Sequence, residues 1–103
     1  MDNTEQVKAF LRGQNMEQLV RIDEAIALYE EVVAEGFDSV GPYDRLIALY
    51  SNRAQHSDVI RICEVALAQV HTYEDKKNWY RTMREQAEKA RSSVPVAAPR
   101  NKK

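Results

Sequence analysis

The sequence of 103 residues contains one cysteine, three glycines and three prolines. A single cysteine cannot form a disulfide within the chain. No apolar run approaches the roughly 18 residues that a membrane-spanning helix needs, and the opening MDNTEQVKAF is more acidic and polar than a secretory signal. These absences lead us to expect a cytoplasmic protein that does not associate with a membrane.

Side chains that could carry chemistry are equally scarce. The only two histidines, His56 and His71, are predicted in loops, with no cysteine or carboxylate at metal-ligand spacing. One cysteine and these histidines cannot supply a nucleophile, a base and an acid, and no glycine-rich phosphate loop is present. The sequence therefore predicts a protein that is not an enzyme and has no catalytic residue, metal or cofactor.

Positive and negative charges are nearly equal in number, with 15 basic and 16 acidic residues and a net charge of −1. They are unevenly distributed, because the segment from Arg91 to Lys103 contains basic residues and no acid. The acidic remainder argues against a broad nucleic-acid-binding surface. A nucleic-acid accessory role, based on a basic fifth helix and tail, stays open as an alternative.

Five helices are predicted from apolar residues at spacings of three and four, and no segment alternates as a strand would. We expect Asn3 and Ser57 to cap the first and fourth helices, and Gly36 to end the second. Pro42 fits the first turn of the third helix. Gly13 lies inside the first helix, where it indicates that another helix approaches closely.

The composition changes near the C-terminal end of the sequence. The segment SVPVAAPRNKK has two prolines and small side chains that cannot form a packed element. We therefore predict one helical domain over residues 1–92, followed by a disordered basic tail or a linker over residues 93–103. An alternative is that the chain is the N-terminal part of a larger protein whose catalytic domain follows the tail.

Two of the predicted helices are related by an offset of 34 residues. Apolar side chains coincide at this offset in the pairs Ala25/Val59, Ile26/Ile60, Leu28/Ile62, Tyr29/Cys63, Val32/Ala66 and Val33/Leu67. Several matches at one offset, with short loops between alternating helices, indicate a helical repeat.

The sequence resembles the tetratricopeptide repeat (TPR) family, whose units of about 34 residues carry the pattern W-x2-L-G-x2-Y followed by A-x3-F. The first unit reads Ala9-x2-Arg12-Gly13-x2-Met16 and Ala25-x3-Tyr29, and the second reads Tyr43-x2-Leu46-Ile47-x2-Tyr50 and Val59-x3-Cys63. The resemblance covers residues 6–73, although Arg12 replaces the leucine and Ile47 the glycine. It implies an all-α fold, a short right-handed superhelix of about two repeats with the fifth helix as a C-terminal cap.

The resemblance also implies a function, because the first helix of each TPR pair lines a concave face that binds a peptide or a partner segment. The matching positions are Phe10, Gln14, Glu17, Gln18, Asp44, Ala48, Ser51 and Asn52. Acidic residues at Glu17 and Asp44 would repel a terminal carboxylate, so we expect a neutral or basic partner segment. Phe10 is either the apolar anchor of this face or a packing partner of Tyr29 or Leu46.

Some residues have a structural and a functional interpretation. Cys63 lies among apolar helix neighbours, which favours a buried, inert thiol. Trp79 and Tyr80 either form a binding platform or supply the bulk with which the cap helix covers the last repeat, and the second, core role is favoured. The alternative function is a self-associating scaffold, a homodimer through the open ends of the solenoid that buries Trp79, Met83 and the Phe10 or Leu11 side.

Overall fold

A computed structural model describes residues 1–93, which form five α-helices. These are α1 (Asn3–Gln18), α2 (Ile22–Ala34), α3 (Val40–Asn52), α4 (His56–Gln69) and α5 (Glu74–Ser93). The part of the chain described by the structure contains no strand, so the all-α prediction is confirmed. The predicted tail lies outside the described residues, except for Ser93, which is the last residue of α5.

The starts of two helices differ from the prediction. Asp2, not Asn3, caps α1: its carboxylate accepts from the Glu5 backbone N–H at 2.8 Å, and the Glu5 carboxylate accepts from the Asp2 N–H at 3.1 Å. Aspartate and asparagine cap about equally well, and both candidates have a capping-box residue three positions later, but the structure uses the Asp2–Glu5 pair. Helix α4 begins at His56, before the predicted cap Ser57, and has no side-chain cap.

The turns that join α1 to α2 and α3 to α4 have the same backbone structure. Val20 and Ala54 adopt left-handed conformations, with φ of 59° and 55°. Both turns are Schellman motifs, in which the last two backbone N–H groups reach back to helix carbonyls. The bonds are Val20 to Glu17 and Arg21 to Met16 in the first turn, and Ala54 to Ser51 and Gln55 to Tyr50 in the second.

Gly13 has the role that the sequence predicts. A Cβ atom at this position would lie 2.5 Å from Cε1 of Tyr29, so α1 and α2 reach their spacing only because position 13 has no side chain. At the corresponding positions of the second unit the small and large residues are exchanged, since Ile47 stands for Gly13 and Cys63 for Tyr29. The total volume is thereby roughly conserved, which the packing of a core requires.

The helices form two layers, with α1, α3 and α5 in one and α2 and α4 in the other. The main packing contacts join helices that are consecutive in the chain. Ion pairs within each layer join α1 to α3, α3 to α5 and α2 to α4. The smallest dimension is 19 Å, the thickness of two helices of about 10 Å each. Three fully buried tyrosines contribute to the core: Tyr29, Tyr43 and Tyr80.

Candidate functional site

A hollow of about 330 Å³ lies between α3 and α5, on the layer that contains α1. We call it the α3–α5 groove. Its lining consists of Asp44, Arg45, Ile47, Ala48, Ser51, Asn52, Lys76, Trp79 and Met83. Four of the eight predicted partner-binding residues, Asp44, Ala48, Ser51 and Asn52, are therefore brought together here.

The other four predicted residues lie on α1 and do not line this groove. The Phe10 ring packs 5.7 Å from the Tyr29 ring and so close to Gly41 that a Cβ there would lie 2.6 Å from the Phe10 Cζ. Phe10 therefore makes the packing contact with Tyr29 that is one of its two predicted roles, and its role as the anchor of a partner stays a prediction. Gln14 is half-buried and Gln18 is exposed.

The sequence interpretation missed the contribution of α5 to the groove. Lys76, Trp79 and Met83 follow one another at spacings of three and four, which places them on one side of a helix. That spacing was the available signal. The sequence instead predicts Trp79 and Tyr80 as core residues, and this prediction holds for Tyr80, which is fully buried. It is wrong for Trp79, which keeps 37% of its surface exposed.

A carboxylate on α1 connects two other helices. The Glu17 carboxylate accepts a hydrogen bond from the Tyr29 hydroxyl at 2.7 Å and two from the Arg45 guanidinium at 2.6 and 2.8 Å. The hydrogen bond from Arg45 holds the pKa of Glu17 below its ordinary value. Burial raises the pKa of Tyr29, so its hydroxyl stays protonated and donates.

The other layer contains the same arrangement. Glu30 on α2 accepts a hydrogen bond from the Tyr50 hydroxyl. Arg61 on α4 donates to both Glu30 oxygens, at 2.5 and 3.1 Å. Each of these carboxylates therefore links its own helix to the next helix of the same layer, and also to a tyrosine of the core. Two-pronged arginine–carboxylate pairs of this kind fix relative orientation as well as distance.

A third carboxylate lies at the edge of the groove. Asp44 accepts a hydrogen bond from the Lys76 ammonium at 2.6 Å and another from the Tyr80 hydroxyl at 2.9 Å. The same ammonium lies 4.0 Å from the centre of the Trp79 ring and 5.2 Å from that of Tyr80. We call Asp44, Lys76, Trp79 and Tyr80 the Asp44 cluster.

These ion pairs change the expected charge of the binding surface. The sequence places Glu17 and Asp44 on it as acidic groups, but Arg45 and Lys76 each neutralise one of them. The groove therefore presents nearly balanced charge, and electrostatic attraction of a basic segment is weaker than the sequence suggests. The preference for a neutral or basic partner stays a prediction.

Cys63 has the environment that the sequence predicts. Its side chain is fully buried. Removal from water raises the pKa of the thiol to about 12, which keeps it in the unreactive protonated form. The predicted inert thiol is therefore consistent with both its position and its protonation state.

No family model, curated protein or solved structure matches this chain. Across residues 1–93, no three histidine, cysteine or carboxylate side chains are placed to hold a metal ion. None of the helices in that range is both long and apolar enough to cross a membrane.

Proposed function

We propose that this chain is a non-enzymatic, TPR-like interaction module that binds a peptide or a partner segment in the α3–α5 groove. In this proposal the helix pairs stack as a short right-handed superhelix, and the protein works in the cytoplasm. The observation that supports it is the groove itself, where Ala48, Trp79 and Met83 supply apolar surface between the polar residues Ser51 and Asn52.

The groove is suited to binding because ion pairs fix the relative positions of the helices that form it. The Asp44–Lys76 ion pair joins α3 to α5, and the Glu17–Arg45 pair joins α3 to α1. A preformed surface spares the cost of ordering one side of an interface. Trp79 is partly exposed, and partly exposed aromatic side chains often dominate the affinity of interfaces.

The proposed occupant is a neutral or basic segment that inserts an apolar side chain between Ala48 and Met83. Met83 is half-buried and flexible, so it adapts to the shape of such a side chain. The preference for a neutral or basic segment is carried over from the sequence, because Lys76 and Arg45 neutralise the Asp44 and Glu17 carboxylates and these carboxylates no longer disfavour an acidic segment. The polar groups of Ser51 and Asn52 are available to hydrogen-bond the peptide backbone.

Selection from a displayed random-peptide library tests the proposal. Peptides enriched on the wild-type protein are then titrated against Ala48→Glu, in which a carboxylate fills the groove floor. We expect affinity to fall about ten-fold or more. Ala27→Glu is the matched control, because Ala27 is an exposed position of α2 in the other layer. The proposal fails if no peptide is enriched, or if both variants bind the peptides equally.

A homodimer through the open ends of the solenoid stays a second candidate. Of the side chains that it would bury, Leu11 is 50% exposed and Trp79 is 37% exposed. Sedimentation across a range of concentrations tests this function. Association that Leu11→Ser abolishes would support it, and a monomer at high micromolar concentration would exclude it.

A further inference from the structure

The Lys76 side chain lies at the edge of the α3–α5 groove, in a position that the amine of a ligand could occupy. It begins in the first turn of α5, crosses to α3 and ends at the Asp44 carboxylate, with its ammonium over the Trp79 ring. A carboxylate combined with aromatic faces is a recurring protein environment for the recognition of alkylammonium ligands. The cluster borders the groove, and Trp79 is exposed enough for another molecule to reach it.

We propose that Asp44, Trp79 and Tyr80 form a lysine-binding cradle that Lys76 occupies in the free protein. A lysine of the partner replaces Lys76 when the partner enters the α3–α5 groove. The partner is therefore a segment with one lysine next to an apolar residue. This inference rests on the proposed function only for the partner, since the cradle itself belongs to the described residues.

The exchange is feasible because it replaces one ammonium group by another. Asp44 keeps one charge-assisted hydrogen bond and its bond from the Tyr80 hydroxyl, and Trp79 keeps a cation over its ring. The displaced Lys76 ammonium moves into water, where a lysine is well solvated. The net gain comes from the rest of the partner segment, which contacts the groove floor at Ala48 and Met83.

If Lys76 occupies the cradle, the free groove should attract simple cations only weakly. With Lys76 in place, the Asp44 carboxylate is neutralised at 2.6 Å, and its side chain is only 28% exposed. An isolated amine would have to displace a tethered one, which is present at a high effective concentration. Only a ligand with additional contacts in the groove can do so, which makes the lysine a determinant of specificity.

Removal of Lys76 tests the cradle directly. The probe is N-acetyl-lysine N-methylamide, titrated at constant ionic strength against the wild type and Lys76→Ala. Trp79 is the only tryptophan, so its fluorescence reports the site. We expect the probe to bind Lys76→Ala about ten-fold or more tightly than the wild type and to raise the thermal midpoint of the variant. The norleucine analogue, which lacks the ammonium, should do neither.

Two further variants make the result specific. Lys77→Ala removes the same charge one residue away, at a lysine whose ammonium has no ion pair within residues 1–93, and it should behave as the wild type. Asp44→Asn in the Lys76→Ala background should abolish the gain. Lys76→Gln is measured in parallel, so the comparison does not depend on the stability of one variant.

Equal binding of the probe to the wild type and to both Lys76 variants would overturn the cradle, as would a gain that Asp44→Asn does not remove. The result is separable from the test of the groove. If peptide binding depends on Ala48 but the affinity of the probe is the same with and without Lys76, the proposed function stands and the cradle does not. Probe binding to Lys76→Ala with no enriched peptide would establish the cradle and refute the groove as a peptide site.

Discussion

Val20 and Ala54, 34 residues apart, share a left-handed backbone conformation with φ of 59° and 55°. Each ends the first helix of a pair, at the residue where glycine is usual. A left-handed conformation costs an L-residue about 1–2 kcal/mol, and a branched side chain such as that of Val20 tolerates it least. The first unit therefore stores more backbone strain in its turn than the second.

Replacement of Val20 by glycine should stabilise the protein by about 1 kcal/mol, because the relief of strain exceeds the extra entropy that glycine gives the unfolded chain. Ala54→Gly should have a smaller effect. Urea unfolding followed by circular dichroism measures both. Ala27→Gly is the control in an exposed helix position, where glycine should cost about 1 kcal/mol. If Val20→Gly lowers the free energy of unfolding as much as Ala27→Gly does, the backbone at position 20 is not strained.

Gly13→Ala should destabilise the protein by about 1–3 kcal/mol, because the added methyl group overlaps the Tyr29 ring. The second unit suggests a compensating change, since it pairs a large residue at Ile47 with a small one at Cys63. Gly13→Ala combined with Tyr29→Val should therefore cost less than the sum of the two single changes. A thermodynamic cycle from urea unfolding measures this coupling. Strict additivity would show that the two positions do not compete for space.

Arg12 and Leu46 occupy corresponding positions of the two units, but Arg12 is exposed and Leu46 is fully buried. We expect Arg12→Leu to change the free energy of unfolding by about 0.5 kcal/mol or less. Leu46→Arg should prevent folding, because it buries an unpaired charge. Thermal unfolding of the two variants provides the measurement. A large loss at Arg12→Leu would mean that its guanidinium has a structural role.

The Glu17–Arg45 ion pair should make stability depend on acid. The folded pKa of Glu17 lies below its ordinary value of 4.5. The pair therefore contributes fully above that pH, and its contribution is lost as pH falls through the folded pKa. Glu17→Gln should cost about 1–2 kcal/mol at neutral pH, and its difference from the wild type should shrink in acid. Urea unfolding across pH measures this difference, with the exposed Glu31→Gln as control. A difference that is constant with pH would contradict the assignment.

The Cys63 thiol should react only when the fold opens, because it is fully buried and its pKa is raised to about 12. A disulfide reagent should modify it about 100-fold or more slowly in buffer than in urea. Ala68→Cys in a Cys63→Ala background provides an exposed thiol on the same helix for comparison. Similar rates for the two cysteines in buffer would show that position 63 is open to solvent.

The helices could be predicted because their signals are local, and the offset because the same apolar pattern recurs 34 residues later. Apolar spacing shows a helix within a few turns, and Gly36 marks the end of α2. Gly13 indicates only that another helix approaches, and the structure shows that this is α2, through Tyr29. The same local reasoning failed at the start of α1, where Asp2 and Asn3 have similar capping preferences and each is followed three residues later by a possible capping-box side chain, Glu5 or Gln6.

The ion pairs could not be predicted, because the partners are distant in sequence. Glu17 and Arg45 are separated by 28 residues, and Asp44 and Lys76 by 32. Each of these residues has several groups of opposite charge at similar distances along the chain. Only the stacking of the helices selects one. For the same reason the sequence does not predict the balanced charge of the groove, although half of the predicted partner-binding residues line it.

The shared carboxylates also limit how one helix can slide along another. A shift of α5 by one helical turn would move Lys76 by about 5.4 Å, and Asp44 would then lose the bond from Lys76 at 2.6 Å and that from Tyr80 at 2.9 Å together. Glu17 imposes the same condition on α1 relative to α3 through Arg45. The mutual axial positions of these three helices are thus fixed in the free protein, and the Tyr80 bond to Asp44 keeps α5 in place along α3 while Lys76 is exchanged for another amine.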